Sequence, residues 1–102
     1  MNILFIGDII GKSGRRATKK AIKKLKKDRE IDLIIANGEN LAHGSGMTTK
    51  TCEEMLDAGV DFFTSGNHIL KRSDVFPEME KKNTKIIRPA NFPPNNIGKG
   101  YQ

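Results

Sequence analysis

The sequence predicts an α/β fold, a parallel sheet with helices alternating along the chain, and three observations carry that expectation. Short apolar runs recur at Asn2–Gly7 (NILFIG), Ile31–Ala36 (IDLIIA) and Val60–Thr64 (VDFFT). The stretches between them repeat their apolar residues at helical spacing and are long enough for a crossover. Each run closes on turn-forming residues such as Gly7, Asn37-Gly38 and Ser65-Gly66. Alternating strand and helix packs as a parallel sheet joined by right-handed crossovers.

Taken in order, the first run reads as a strand buried on both faces, as parallel strands usually are. After the loop DIIGKSG, the segment from about Arg15 to Asp28 places Ala17, Ala21, Ile22 and Leu25 on a narrow stripe, with Lys and Arg elsewhere. The second strand ends at Asn37-Gly38, and a polar, glycine-bearing loop runs through Gly46. A second helix is expected at about Thr49–Ala58. Thr51 and Glu54 have capping-box spacing, Cys52, Met55 and Leu56 form an apolar face, and Gly59 stops it. Strand three is Val60–Thr64. A turn through Ser65-Gly66-Asn67-His68 leads to a helix over about Ser73–Lys82, and Lys85–Ile87 makes a fourth strand. The tail from Pro89 is rich in Pro, Asn and Gly and is expected to be extended and irregular.

Composition bounds the function classes. The 102 residues are 36% hydrophobic and 29% charged, enough for one small core, and the periodic apolar blocks argue against disorder. A single cysteine, Cys52, excludes an intrachain disulfide scaffold and a cysteine metal cluster, which points to a reducing compartment and the cytoplasm. The apolar opening Ile3–Ile10 contains Asp8 and has no basic region before it, so it reads neither as a signal peptide nor as a membrane span. The net charge of +6 is local. Lys12 to Arg29 holds ten Lys or Arg and one acid, Asp28, whereas the remaining residues hold eight basic and eleven acidic groups. A nucleic-acid partner would therefore rest on that one helix, and no aromatic residue interleaves with its charges.

In an open parallel sheet, ligands bind beyond the carboxyl ends of the strands. Asp8 follows strand one, Glu39 and Asn40 follow strand two, and Asn67 and His68 follow strand three. Singly, each has a plainer reading: Asp8 as a helix cap, Glu39-Asn40 as a solvated loop pair, His68 as a surface histidine, and Asn37-Gly38 as turn chemistry. Together they place two carboxylates, two amides and an imidazole on one rim. Oxygen and nitrogen donors without thiolate suit Mn, Fe, Mg or Zn, and a carboxylate able to bridge allows two ions. Two ions can hold a phosphate oxygen and activate water for in-line displacement, so phosphoester hydrolysis is the reaction class that follows. His43, in the glycine-bearing loop, is expected at an exposed or substrate-edge position.

The ordered set GDIIGKSGRR, NGEN followed by HGSG, AGVDFFTSGNH and RPANFPP resembles the N-terminal part of the YmdB-like family of calcineurin-like metallophosphoesterases, over essentially the whole chain. The resemblance implies a single partial domain over residues 1–102, the N-terminal half of a layered metallophosphoesterase fold. It also implies a dinuclear iron or manganese centre and phosphodiesterase activity on 2′,3′-cyclic nucleotides. Carried over by motif, Asp8 would bind the first metal, Glu39 would bridge both, Asn40 and Asn67 would bind the second, and His68 would be the general acid. Two features depart from the family pattern. This chain has only His43 and His68, where the family adds further histidines including a GHxH pair, and Ile69-Leu70-Lys71 replaces the usual Thr-Trp-Asp. The expectation is therefore a fragment or short homologue with an incomplete ligand set.

Rival readings are weaker. Gly7-Asp8-Ile9-Ile10-Gly11-Lys12-Ser13 misses the phosphate-binding loop by one residue of spacing, with Asp8 set against a triphosphate. Amides near Lys12 and Ser13 would still suit an anion at the helix start. The non-enzymatic alternative is an RNA-binding module using the basic helix 12–29. Expected partners are a nucleotide or phosphodiester substrate, RNA through that helix, and a second copy of the chain in a homo-oligomer, with no membrane.

Overall fold

A computed structural model describes all 102 residues. The elements run β1 (Ile3–Ile6), α1 (Gly11–Asp28), β2 (Leu33–Asn37), α2 (Thr49–Asp57) and β3 (Phe62–Thr64), then 3-10 turns at Asn67–Lys71 and Ser73–Val75 that lead into α3 (Phe76–Met79). The three strands form one parallel sheet in the order β1-β2-β3. No helix is long and apolar enough to cross a membrane.

The expected α/β architecture is present, with corrections that have local causes. The fourth strand shrinks to a single bridge between Phe63 and Ile86. Phe63 donates to the Lys85 carbonyl at 2.7 Å and Ile87 donates back at 3.0 Å. The ladder then stops, because Arg88 N–H turns to the Lys99 carbonyl and Pro89 has no donor. β1 is buried on one face only: Leu4 and Ile6 pack against the core, while Ile3 and Phe5 are 52% and 59% exposed.

α1 begins four residues before its expected start. Gly11, at φ 60°, donates to the Asn40 carbonyl at 2.9 Å and turns the chain into the helix. Ala17 and Ala21 are exposed, and the buried stripe is instead Thr18, Ile22 and half-buried Leu25, spaced i, i+4, i+7. Lys26 and Lys27 in the last turn suit the negative end of the helix dipole.

The capping box of α2 is Thr48 with Thr51, three residues earlier than the expected pair. Thr48 Oγ1 accepts from Thr51 N–H at 3.1 Å, and Thr51 Oγ1 accepts from Thr48 N–H at 3.0 Å. Glu54 is taken by α1 instead, accepting from Arg15 Nε at 2.8 Å and Lys19 Nζ at 2.6 Å. β3 starts at Phe62 rather than Val60. Asp61 at its head accepts from Ile34 N–H through its side chain and donates its own N–H to the Ile34 carbonyl, both at 2.8 Å. Over the expected helix Ser73–Lys82 only α3 is α-helical, since Pro77 is tolerated solely in a first turn.

One apolar core fills the space between α1, α2 and one face of the sheet, joining Ile22, Met55, Ile34, Ala36, Phe63 and Met79. The extended tail is tied down by Arg88. Its buried guanidinium donates to the carbonyls of Gly98, Pro89 and Phe92, and it has no carboxylate partner. The layer of helices behind the sheet leaves the carboxyl ends of all three strands facing one way. The three loops that follow them therefore meet.

Candidate functional site

At that rim four of the five expected residues join in one chain of polar contacts. The Asn40 amide nitrogen donates to both Asp8 carboxylate oxygens, at 3.0 and 2.9 Å. The Asn40 amide oxygen lies 2.5 Å from His68 Nδ1. Glu39 closes the chain: its Oε2 accepts from His68 N–H at 3.3 Å and lies 3.8 Å from Nδ1. Asn67 sits beside them at the head of the 3-10 turn, exposed, with its side chain outside this network.

Local sequence explains each placement. The Asn37 side chain accepts from Glu39 N–H at 3.2 Å, an Asx turn that swings Glu39 and Asn40 off the end of β2. The loop is pinned further on, where Gly46 donates to the Glu39 carbonyl at 2.6 Å and Ala42 donates to Gly46 at 2.9 Å. Asn40 is buried, so its amide has little freedom. An acceptor carboxylate on one side and an imidazole on the other orient it: NH2 toward Asp8, oxygen toward His68. His68 is then the Nδ1–H tautomer, and its Nε2 is the free nitrogen.

Sequence reasoning overlooked Gly66. A Cβ built on it would overlap the Glu39 carboxylate, so the glycine forms the floor on which that carboxylate rests. The signal was present in the Ser65-Gly66-Asn67 turn, but spacing alone does not say which side chain lies over a glycine. Also unassigned was a shallow cleft of about 640 Å³ beside the rim, lined by Lys12, Ser13, Arg16 and His43 with Gly11 and Gly44. His43 is exposed, as expected, and is the sole non-glycine residue at positive φ, 54°.

The donor set is compatible with a hard divalent cation. Two carboxylates and the Asn40 amide converge, with Asn67 beside them, and the Gly66 floor holds one carboxylate against the rim. No three His, Cys, Asp or Glu side chains cluster closely enough to hold a metal by themselves. Ligation here would have to include asparagine oxygen.

The geometry has counterparts. The family model described as YmdB-like protein matches residues 4–102. A 2′,3′-cyclic-nucleotide 2′-phosphodiesterase of Bacillus subtilis is 41% identical over 100 residues, 98% of this chain and 38% of that protein. A crystal structure of a hypothetical protein from Thermus thermophilus superposes with a TM-score of 0.90 at 36% identity, covering all of this chain and 39% of the other. That of a novel phosphatase from Mycoplasma pneumoniae gives 0.84 at 37% identity, covering 96% and 36%. The chain thus spans little more than a third of the length of these relatives. With the rim motifs in place and the match running from the first strand to the last residue, this chain belongs to the YmdB-like protein family.

Proposed function

We propose that this chain carries the amino-terminal share of a metal-dependent phosphodiesterase site acting on 2′,3′-cyclic nucleotides. The observation that carries the reading is the contact chain Asp8–Asn40–His68–Glu39 on one sheet rim. The name of the Bacillus subtilis relative supplies the substrate class.

Asp8, Glu39, Asn40 and Asn67 would hold two divalent ions, iron or manganese, with Glu39 bridging. When bound, the ions supply Lewis-acid polarisation of the phosphoryl group and an activated water. Asn40 must change roles to take part. Its NH2 now satisfies Asp8, and a half-turn of the amide brings its oxygen alongside that carboxylate instead. His68 contributes the acid. With the Glu39 carboxylate close to Nδ1, the protonated ring presents Nε2–H outward. As water adds to phosphorus and the bond to the 2′ oxygen breaks, that proton passes to the leaving oxygen.

The charge distribution supports an anionic substrate. Lys12 and Arg16 line the neighbouring cleft without an acidic partner. Of the ten cations between Lys12 and Arg29, only Arg15 and Lys19 are paired. The free ones make RNA attraction by the α1 face a second reading, with an affinity that falls as salt rises.

The test is metal content after loading with Mn or Fe, together with hydrolysis of a 2′,3′-cyclic nucleotide. Bound metal that is lost in Glu39→Gln but kept when Lys20, Lys23 and Lys24 are reversed to Glu supports the site. A folded chain that takes up neither metal overturns it. Metal uptake without hydrolysis would assign the missing activity to the part of the relatives that this chain does not span.

A further inference from the structure

The rim draws its side chains from two loops, and the contacts between those side chains do not fix the distance between the loops. Glu39 and Asn40 follow β2, whereas Asn67 and His68 follow β3. The groups that meet are partly open to water, the His68 side chain at 38% and that of Glu39 at 21%, so water replaces their contacts at small cost. Metal ligation as proposed above also requires Asn40 to turn its amide, which gives up its contact to His68. The spacing has to be kept by a group that takes no part in ligation.

We infer that Arg72 is that group, a positioning residue that holds the Glu39-Asn40 loop against the His68 turn; its bearing on metal affinity rests on the metal-site reading above. Arg72 stands between the two 3-10 turns, in extended backbone at φ −134°, ψ 111°. Its Nε donates to the Ser45 carbonyl at 2.8 Å. Its methylene stem lies on Gly46, where an added Cβ would come 2.9 Å from Arg72 Cγ and 3.1 Å from Cδ, with the His68 carbonyl at 3.4 Å. Gly46 has φ 85°, so glycine supplies both the left-handed backbone and the room for the stem.

From Gly46 the link to the rim is one hydrogen bond long. Its N–H donates to the Glu39 carbonyl at 2.6 Å, its carbonyl accepts from Ala42 at 2.9 Å, and Ser45 N–H closes the turn on the Ala42 carbonyl at 3.1 Å. A shift of this turn is therefore passed directly to the backbone of Glu39. Arg15 holds the Leu41 carbonyl from the α1 side while paired with Glu54, but Arg72 has no carboxylate partner, and the Ser45 carbonyl is the acceptor it serves. A second tie between the same two segments, Thr49 N–H to Asp74 at 2.6 Å, falls at the start of α2, beyond the rim loop. Of the side chains that follow β3, only Arg72 bonds to the Ala42–Gly46 turn.

The test compares Arg72→Met, which keeps the stem and removes the donor, with Arg72→Lys, which keeps both. Arg88→Met serves as the control, because the Arg88 side chain bonds only to tail carbonyls. Manganese affinity by calorimetry should fall about 10–100-fold in Arg72→Met, recover to within about threefold in Arg72→Lys, and be unchanged in Arg88→Met. In the metal-free chain the amide shifts of Glu39 and Asn40, which share no hydrogen bond with Arg72, should move in Arg72→Met and return in Arg72→Lys. A folded Arg72→Met chain with unaltered manganese affinity, or with Glu39 and Asn40 amides that stay in place, overturns the role. An equal loss of affinity in Arg88→Met overturns it too, since that marks a general effect of stability. If the unaltered chain takes up no manganese, the metal-site reading fails by itself, and the metal-free amide shifts still decide for or against Arg72. Where Arg72→Met does not fold, hydrogen exchange of the unaltered chain decides. Gly46 N–H, bonded to Glu39, and Ile69 N–H, bonded to Gly66, report on the two loops and should open together; separate opening overturns the coupling.

Discussion

Replacing Gly66 by alanine separates the geometry of the rim from the stability of the fold. Gly66 sits at φ −144°, ψ −161°, an extended conformation open to alanine, so the backbone resists nothing. The atoms nearest the added methyl are those of the Glu39 carboxylate, the far end of a flexible side chain. Glu39 must swing away and give up its contact to His68 N–H. That bond is long, 3.3 Å, and the Glu39 side chain is 21% exposed, so its loss costs about 1 kcal/mol. For a domain of this size the melting temperature falls by about 4–8 °C. The effect on the site is larger, because the proposed bridging ligand is displaced; losses of the kind seen for ligand-positioning groups, about 10–100-fold in metal affinity, are expected. Thermal unfolding followed by circular dichroism, Mn titration by calorimetry and the amide shift of His68 read these effects independently. A Gly66→Ala chain that keeps both its His68 amide shift and its Mn affinity refutes the role assigned to this glycine.

Other perturbations address the supports of the site. Burial, with the charges of Glu78 and Glu53 adding to it, pushes the Cys52 thiol from 9.0 up to about 12. Its stabilising effect is complete below pH 9 and is lost as pH rises toward 12, so Cys52→Ala should flatten the alkaline fall in stability seen by denaturant titration. In native buffer the thiol should react with Ellman's reagent only on unfolding. Glu54 is held below the usual carboxylate range by Lys19, against the opposing effect of burial, with Arg15 assisting. Its contribution is present at neutral pH and lost as pH falls through the lowered value. Glu54→Gln should therefore cost under about 1 kcal/mol at pH 7 and nothing in acid, read by urea midpoints at the two pH values. Arg88→Met leaves the Gly98, Pro89 and Phe92 carbonyls without their donor. A loss of about 1–3 kcal/mol and faster tryptic cleavage of the tail at Lys99 are expected.

What the sequence conveyed, and what it withheld, divides along the range of the interactions involved. The alternation of elements and the convergence of Asp8, Glu39, Asn40 and His68 were legible because both follow from chain order. In a parallel sheet every strand delivers its last residues to the same end. The boundaries were not legible, because distant partners set them. α1 starts at Gly11 on account of the Asn40 carbonyl, and the cap of α2 falls at Thr48 because Arg15 and Lys19 claim Glu54.

The bare face of β1 shows the same division at larger scale. NILFIG reads as a doubly buried strand because its apolar residues are unbroken, and apolarity records that a face is meant to be covered without saying by what. Leu4 and Ile6 find their cover within this chain; Ile3 and Phe5 do not. The rim is polar and can be satisfied by water, and Asn40 and His68 already satisfy each other. The face is apolar and cannot.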